Sequence, residues 1–472
     1  MAQQLTLRQA IEIAQQNSLD AQLARYSFLS GYWQYRSFKA QLLPSVNLTG
    51  ELADFNHSIV ETRNYDDGRV NHVSNNSMTN SLTLSLDQQI AATGGTVSLQ
   101  SYLYRLDQFT YDEKTYNSQP LRISYTQPLR TYNSLKWEKK TAPVEYQIAQ
   151  RTYASSMQDV TIKVTSLFFS VLSAQSDLKQ SDQTVEERER LYDMAQKRLE
   201  LQTTTKGDVL QMELSLINAR ISQKKNRIAL DDAMYDLFSY LRLTDYAGAE
   251  LIPPYSVPDI IVSVDDVLHK AITNSSHTPE QKLEMLEAER SLAQARSNRG
   301  LQMTLSSELG FTRSADTFSG AYSRLKDNEI IGLSLSLPIF DWGVSKGKVQ
   351  MARAQLDVVK TRLEQAHMDY VQELRKRVTQ FNAQPSQCRD ALRAQEIAEE
   401  RYDISRRRYE TGSITVTELN TALQEMETAK QNYISLLQTF WTDYYTLQKA
   451  TLYDWINKCD ITYDYNKITN EK

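Results

Sequence analysis

The chain has 472 residues and a formal net charge of −5, with charged residues at 24% and aromatics at 9%. That balance excludes a disordered polyelectrolyte and offers no basic surface for nucleic acid. No apolar run approaches the ~18 residues of a transmembrane helix, so any membrane crossing must use a closed β-barrel. The opening Met1-Ala2-Gln3-Gln4 enters a helical pattern at once, which fits a cytoplasmic protein or a mature exported chain.

Read in order, the chain states one plan twice. Leu5-Thr6-Leu7-Arg8-Gln9-Ala10 through Asn17-Ser18 returns as Val262-Ser263-Val264-Asp265-Asp266-Val267 through Asn274-Ser275, an offset of 257 residues. Helical spacing over 5–43 ends at Pro44, which falls on Leu301 in the second copy. Strand alternation follows: Val46-Asn47-Leu48-Thr49-Gly50-Glu51-Leu52, then Leu82-Thr83-Leu84-Ser85-Leu86-Asp87. A hairpin over about 80–106, turned at Ala92-Thr93-Gly94-Gly95, has no counterpart in the second half. Tyrosine, with 27 copies, clusters near the strand ends at Tyr102, Tyr104, Tyr111, Tyr116 and Tyr125, as an interfacial girdle would. A soluble β-sandwich would show the same alternation. Polar stretches 56–80 and 314–328 read as outward loops.

Gln127-Pro128-Leu129 then matches Leu337-Pro338-Ile339 at an offset of 210, so the first half holds 47 more residues before this point. Beyond it the register stays locked, with Asp208 on Glu418 and Ala219 on Ala429. Apolar or small residues recur in steps of three or four at Tyr146, Ala149, Tyr153, Ser156, Val160, Val164, Phe168 and Val171. Leu356, Val359, Leu363, Ala366, Tyr370, Leu374, Val378 and Phe381 repeat the seam. Such helices would be on the order of 100 Å long. Their narrow seams cannot enclose a compact core, so they must pack side by side. Pro385 predicts a kink or a break in the second rod.

The expected organisation is a first repeat over 1–243 (helices 5–43, strands 44–130, long helix and return 131–243) and a Pro-rich linker over 244–261. A second repeat spans 262–455 (helices 262–300, strands 301–340, long helix and return 341–455), and a tail covers 456–472. Short strand sets between long rods have too few partners to close a sheet in one chain, so closure needs several subunits.

No catalytic constellation appears. His57, His72, His269, His277 and His367 share no ligand spacing, so no metal is expected. Cys388 and Cys459 read as two free thiols, a disulfide being the alternative. No phosphate loop or nucleophile triad is present, and no cofactor is expected.

Four motifs carry a resemblance. Leu5-Thr6-Leu7 with Ala10, Ala14 and Asn17, Leu43-Pro44-Ser45-Val46, Leu335-Ser336-Leu337-Pro338-Ile339-Phe340-Asp341-Trp342-Gly343, and Arg408-Tyr409-Glu410-Thr411-Gly412 with Glu418-Leu419 stand in order along the chain. Together they resemble the TolC family of outer-membrane efflux and secretion channels over nearly the whole length. The resemblance implies a mainly α, internally duplicated fold: a trimeric α-helical barrel joined to a shared transmembrane β-barrel. It implies four strands per subunit, or six if the extra hairpin joins. It further implies a homotrimer in outer-membrane lipid that reaches into the periplasm of a Gram-negative cell. A periplasmic adaptor (membrane fusion) protein and an inner-membrane pump would be its partners, and it would be no enzyme. A gate formed by Asp208, Tyr409 and Glu418 is implied at the periplasmic tip, with Gln202, Gly207, Gly412 and Val416 at the tip turns where an adaptor would dock. Gln202 stands where the family has glycine, and Gly207 is a candidate to relieve that turn. Thr421 replaces a further acid sometimes found beyond Glu418. A soluble coiled-coil scaffold or a periplasmic adaptor is the competing reading, though an adaptor has one helical hairpin and not two equal halves.

Overall fold

In the computed structural model the described residues are 4–63, 66, 68–244, 250–254, 257–411 and 413–470. The elements run β1 (Gln4–Thr6), α1 (Leu7–Asn17), α2 (Leu19–Gln41), β2 (Ser45–Arg63), β3 (Val70–Ile90), β4 (Gly95–Gln108), β5 (Glu113–Pro128), α3 (Ser134–Glu200) and α4 (Lys206–Leu241). They continue β6 (Glu250–Ile252), α5 (Val264–Asn274), α6 (His277–Arg299), β7 (Gln302–Ala315), α7 (Phe318–Ala321), β8 (Lys326–Ser336), α8 (Val344–Glu410) and α9 (Val416–Thr451). The tail adds β9 (Tyr453–Asp454), β10 (Cys459–Asp460) and α10 (Tyr465–Asn470).

The duplication shows in the helix lengths. Both α1 and α5 have 11 residues, and both α2 and α6 have 23. Both α3 and α8 have 67, and both α4 and α9 have 36. The expected break at Pro385 is absent, because α8 runs unbroken from Val344 to Glu410 with Pro385 inside it. An interior proline costs ~3 kcal/mol. Here it is buried in a stretch fixed by packing, between Phe381 at 1% exposure and Cys388 at 2%. Both cysteines are free thiols, Cys388 buried and Cys459 exposed.

The chain divides into two compact units. The first comprises Met1–Ser30, Ile148–Thr278 and Gln365–Lys472. Its core includes Phe381, Phe440, Tyr444 and Leu447, joined by Val262, Val267 and Ala271. In the linker, β6 pairs parallel with β1, setting Leu5 opposite Leu251 and burying both. The tail packs back through Tyr463 and Tyr465, whose rings lie 5.2 and 6.3 Å from Tyr153.

The second unit comprises Gly31–Gln147 and Pro279–Glu364. It contains one antiparallel sheet of order β2-β3-β4-β5-β7-β8, so the extra hairpin joins the sheet and the chain supplies six strands. The 56–80 stretch is not an irregular loop. It is mostly strand, with β2 and β3 paired from Asp54 opposite Thr79 out to Arg63 opposite Val70. Polar residues extend a ladder readily where both faces meet water. The 314–328 stretch narrows to a connection between β7 and β8 that carries α7.

Register gives the sheet two unlike faces. Leu48 stands opposite Leu84, Leu86 opposite Leu99, Ile123 opposite Leu309, and Leu305 opposite Leu333. This face stays open to solvent in the single chain: Leu48 is 67% exposed and Ile331 76%. The other face carries Thr49 opposite Thr83, Asn47 opposite Ser85, and Gln100 opposite Arg122. There the Arg122 guanidinium donates to Gln100 and lies 3.4 Å from the Glu308 carboxylate. Gly310 serves the bulge in β5, because a Cβ there would lie 2.6 Å from the Leu121 carbonyl oxygen.

Candidate functional site: the two helix turns

The turns joining α3 to α4 and α8 to α9 follow one local logic. As α3 ends, Gln202 N–H donates to the Leu199 carbonyl at 2.9 Å and Thr203 N–H to the Arg198 carbonyl at 2.9 Å. This is a Schellman closure, and it needs a left-handed residue at its centre. That residue is Gln202, with φ of 56°. Gly207 is the second residue of α4 and lies in helix, so it does not relieve the turn as expected; the left-handed position is Gln202 itself. At the second tip Ser413 N–H donates to the Arg408 carbonyl at 2.8 Å. Gly412 lies outside the described residues, as does the side chain of Val416.

Each return begins with a capping box. Thr205 accepts from Asp208 N–H, and the Asp208 carboxylate accepts from Thr205 N–H at 3.0 Å and from Thr205 Oγ1 at 2.7 Å. Thr204 Oγ1 adds a third donor at 3.0 Å to the same oxygen, Oδ2. Thr415 and Glu418 repeat the arrangement, with Glu418 Oε2 accepting from Thr415 N–H at 2.8 Å and Thr415 Oγ1 at 3.1 Å. Both acids therefore sit where orphan amides and the helix dipole favour negative charge. The Thr205 hydroxyl foremost, then its amide, holds the Asp208 carboxyl below the ordinary range. The Thr415 amide foremost does the same for Glu418, and Arg408 adds to it. Both side chains remain exposed, and each has a second carboxylate oxygen outside the capping bonds.

Tyr409 and Asp208 line one cleft of about 310 Å³, with Leu191, Arg198, Met212 and Thr415 around them. The Asp208 bonds go to Thr204 and Thr205, and no Tyr409–Asp208 hydrogen bond forms among the described residues. Glu418 lines a separate cleft with Arg401, Ile404, Arg408 and Thr421. Arg406 pairs with Asp403 at 3.6 Å, within its own helix.

Sequence reasoning missed the cross-links near the tips. Arg188 Nη2 donates to Asn420 Oδ1 at 2.5 Å, the Tyr402 hydroxyl to Glu187, and Arg401 pairs with Glu425. Burial foremost, then the bond to Glu187, raises the Tyr402 phenol above its usual range. No local pattern marks these long-range partners. The capping threonines did carry a signal, since Thr-x-x-Asp and Thr-x-x-Glu open each return.

Paired long helices with tight capped turns, and an open sheet that is apolar on one face and polar on the other, define a helix-and-barrel membrane conduit. The family model described as outer membrane efflux protein matches residues 89–241 and 267–451. The chain belongs to the outer membrane efflux protein family: it is an outer-membrane efflux channel and not an enzyme. Its fold is that of the CmeC outer membrane channel of Campylobacter jejuni, at 14% identity and a TM-score of 0.68 over 98% of this chain and 88% of that one. The Vibrio cholerae outer membrane protein VceC is similar at 14% identity and a TM-score of 0.64, over 96% of each chain. The open-state MtrE outer membrane channel of Neisseria gonorrhoeae matches at 14% identity and a TM-score of 0.62, over 97% and 91%. No curated protein sequence matches the chain. No helix among the described residues is long and apolar enough to cross a membrane, a statement that does not bear on a β-barrel.

Proposed function

We propose that the chain is the exit duct of a tripartite efflux pump or a type I secretion system, working as a homotrimer. Its tip turns would meet a periplasmic adaptor that joins it to an inner-membrane pump. Gln202, Gly207, Gly412 and Val416 are the proposed contact. Three copies of Glu418 around one axis form the proposed constriction, and a ring of carboxylates favours cations. Tyr409 beside Asp208 is the proposed latch between neighbouring helices. The observation that supports this reading most is the capping geometry. Each cap fixes its acid through one carboxylate oxygen and leaves the other outside the capping bonds, at matched positions of two helices of equal length.

The test is planar-bilayer recording on purified trimers. Glu418→Gln keeps an acceptor for the cap and removes the charge, so cation preference should fall while assembly persists. Tyr409→Phe with Asp208→Asn should raise conductance by loosening the closed state. Unchanged selectivity in Glu418→Gln would place this residue away from the constriction. A double variant that conducts like the parent would leave packing alone to close the tip.

A further inference from the structure

Every strand of the sheet is long enough to cross a membrane. β2 to β5 have 19, 21, 14 and 16 residues, and β7 and β8 have 14 and 11. A tilted spanning strand needs about 9–11. The β3–β4 hairpin does not stop partway. Its turn reaches the end of the sheet where α3 begins, because Asn133 Nδ2 donates to the Ala91 carbonyl at 3.1 Å and Gln127 Nε2 to the Thr93 carbonyl at 3.1 Å. Gly94, with φ of +76°, supplies the left-handed residue of that turn. The β4 ladder runs to β3 on one side and to β5 on the other. Leu82, Leu84, Leu86 and Leu99 continue the apolar face that Leu48 and Leu333 carry on the flanking strands. The hairpin is therefore built as wall, with the same two-faced pattern as its neighbours. The matched residues of the family model begin at 89, so β2 and nearly all of β3 lie outside them.

The sheet is open at β2 and β8, each of which pairs on one side only among the described residues. Unpaired backbone at those edges is untenable in lipid. A second copy offers the complementary edge, and heterologous pairing of β8 with the next β2 closes as a ring.

We infer that the shared barrel has eighteen strands, six from each of three copies, with β3 and β4 as full wall strands. This rests on the trimer proposed above. At a strand spacing of ~4.8 Å and a tilt of ~40°, eighteen strands enclose about 36 Å between backbones, against about 24 Å for twelve. Barrels of sixteen to eighteen strands hold an aqueous channel. The Gln100, Arg122 and Glu308 face would then line water, and the barrel would not filter cargo by size.

The test uses the full chain with Cys388→Ala and Cys459→Ser, reconstituted in vesicles. New single cysteines at Leu84, Leu86 and Leu99 are compared with Thr83, Ser85 and Gln100. Labels at the first three should be quenched several-fold more strongly by spin-labelled lipid, and the second three should react with a charged aqueous thiol reagent. Equal water access at all six would put the hairpin outside the membrane and overturn the inference. Averaged cross-sections of the same particles by electron microscopy should count eighteen strands; twelve would overturn it independently of any substitution. Cysteine pairs joining Asn47 or Thr49 on β2 to Gly332 or Ser334 on β8 test the underlying trimer separately. Bismaleimide should convert them to a covalent three-chain ladder. Absence of every cross-chain product would defeat the shared barrel itself, whatever the hairpin does.

Discussion

At the scale of single residues, backbone conformation makes the sharpest demands. Gln202 holds φ of 56° with a full side chain, a state that costs an L-residue ~1–2 kcal/mol and glycine little. Gln202→Gly should therefore stabilise the turn by about 1 kcal/mol, read as a higher unfolding temperature of the purified protein. Gly310→Ala should do the reverse, because the added methyl meets a backbone carbonyl that the β5 bulge fixes in place. A loss of about 1–3 kcal/mol is expected, seen as trimer dissociation at lower temperature in detergent.

At the scale of elements, the returning helices depend on their caps. Thr205→Ala and Thr415→Ala each remove an acceptor from an orphan amide and should cost about 1 kcal/mol locally. Hydrogen exchange should speed up in the first turns of α4 and α9 while the packed later turns, around Leu237 and Leu241 in α4 and Leu437 and Phe440 in α9, keep their protection. The same caps respond to acid. Asp208 and Glu418 have pKa values lowered by the fold. Their stabilising contribution is present above the ordinary carboxylate range and lost as pH falls through the lowered values, below about pH 4. Exchange corrected for intrinsic rates should show both first turns fraying in that window, and Asp208→Asn with Glu418→Gln should remove most of the pH dependence.

At the scale of the whole molecule, the apolar sheet face and its two open edges exceed what one chain can cover. The protein should need detergent and run as a homotrimer in light scattering or native mass measurement; a water-soluble monomer would contradict the barrel. Topology has its own check. The Arg63 and Val70 ends of β2 and β3 and the connection around α7 share one end of the sheet, away from the end where Asn133 meets the β3–β4 turn. Protease added to intact cells should cut there, and cleavage seen only after periplasmic access would mean the reverse orientation.

Much of this was legible in the sequence because it is local or periodic. The offsets of 257 and 210 reappear as helices of equal length, since length and seam spacing are written in consecutive residues. The alternation at Val46–Leu52 and Leu82–Asp87 became strands for the same reason. The acids at 208 and 418 stood out by register, and the threonines three residues before them hold the reason in plain view. Other features depend on partners far apart along the chain. Alternation cannot say which strand is neighbour to which, so the place of the β3–β4 hairpin emerged only when β4 was seen bonded to both β3 and β5. Helix propensity at Pro385 favours a break, and only burial beside Phe381 and Cys388 keeps α8 continuous. The Arg188–Asn420 and Tyr402–Glu187 bonds join residues more than two hundred positions apart. Spacing along a sequence constrains what a residue can do within a few turns of its own helix; which helix stands next to it is decided by packing.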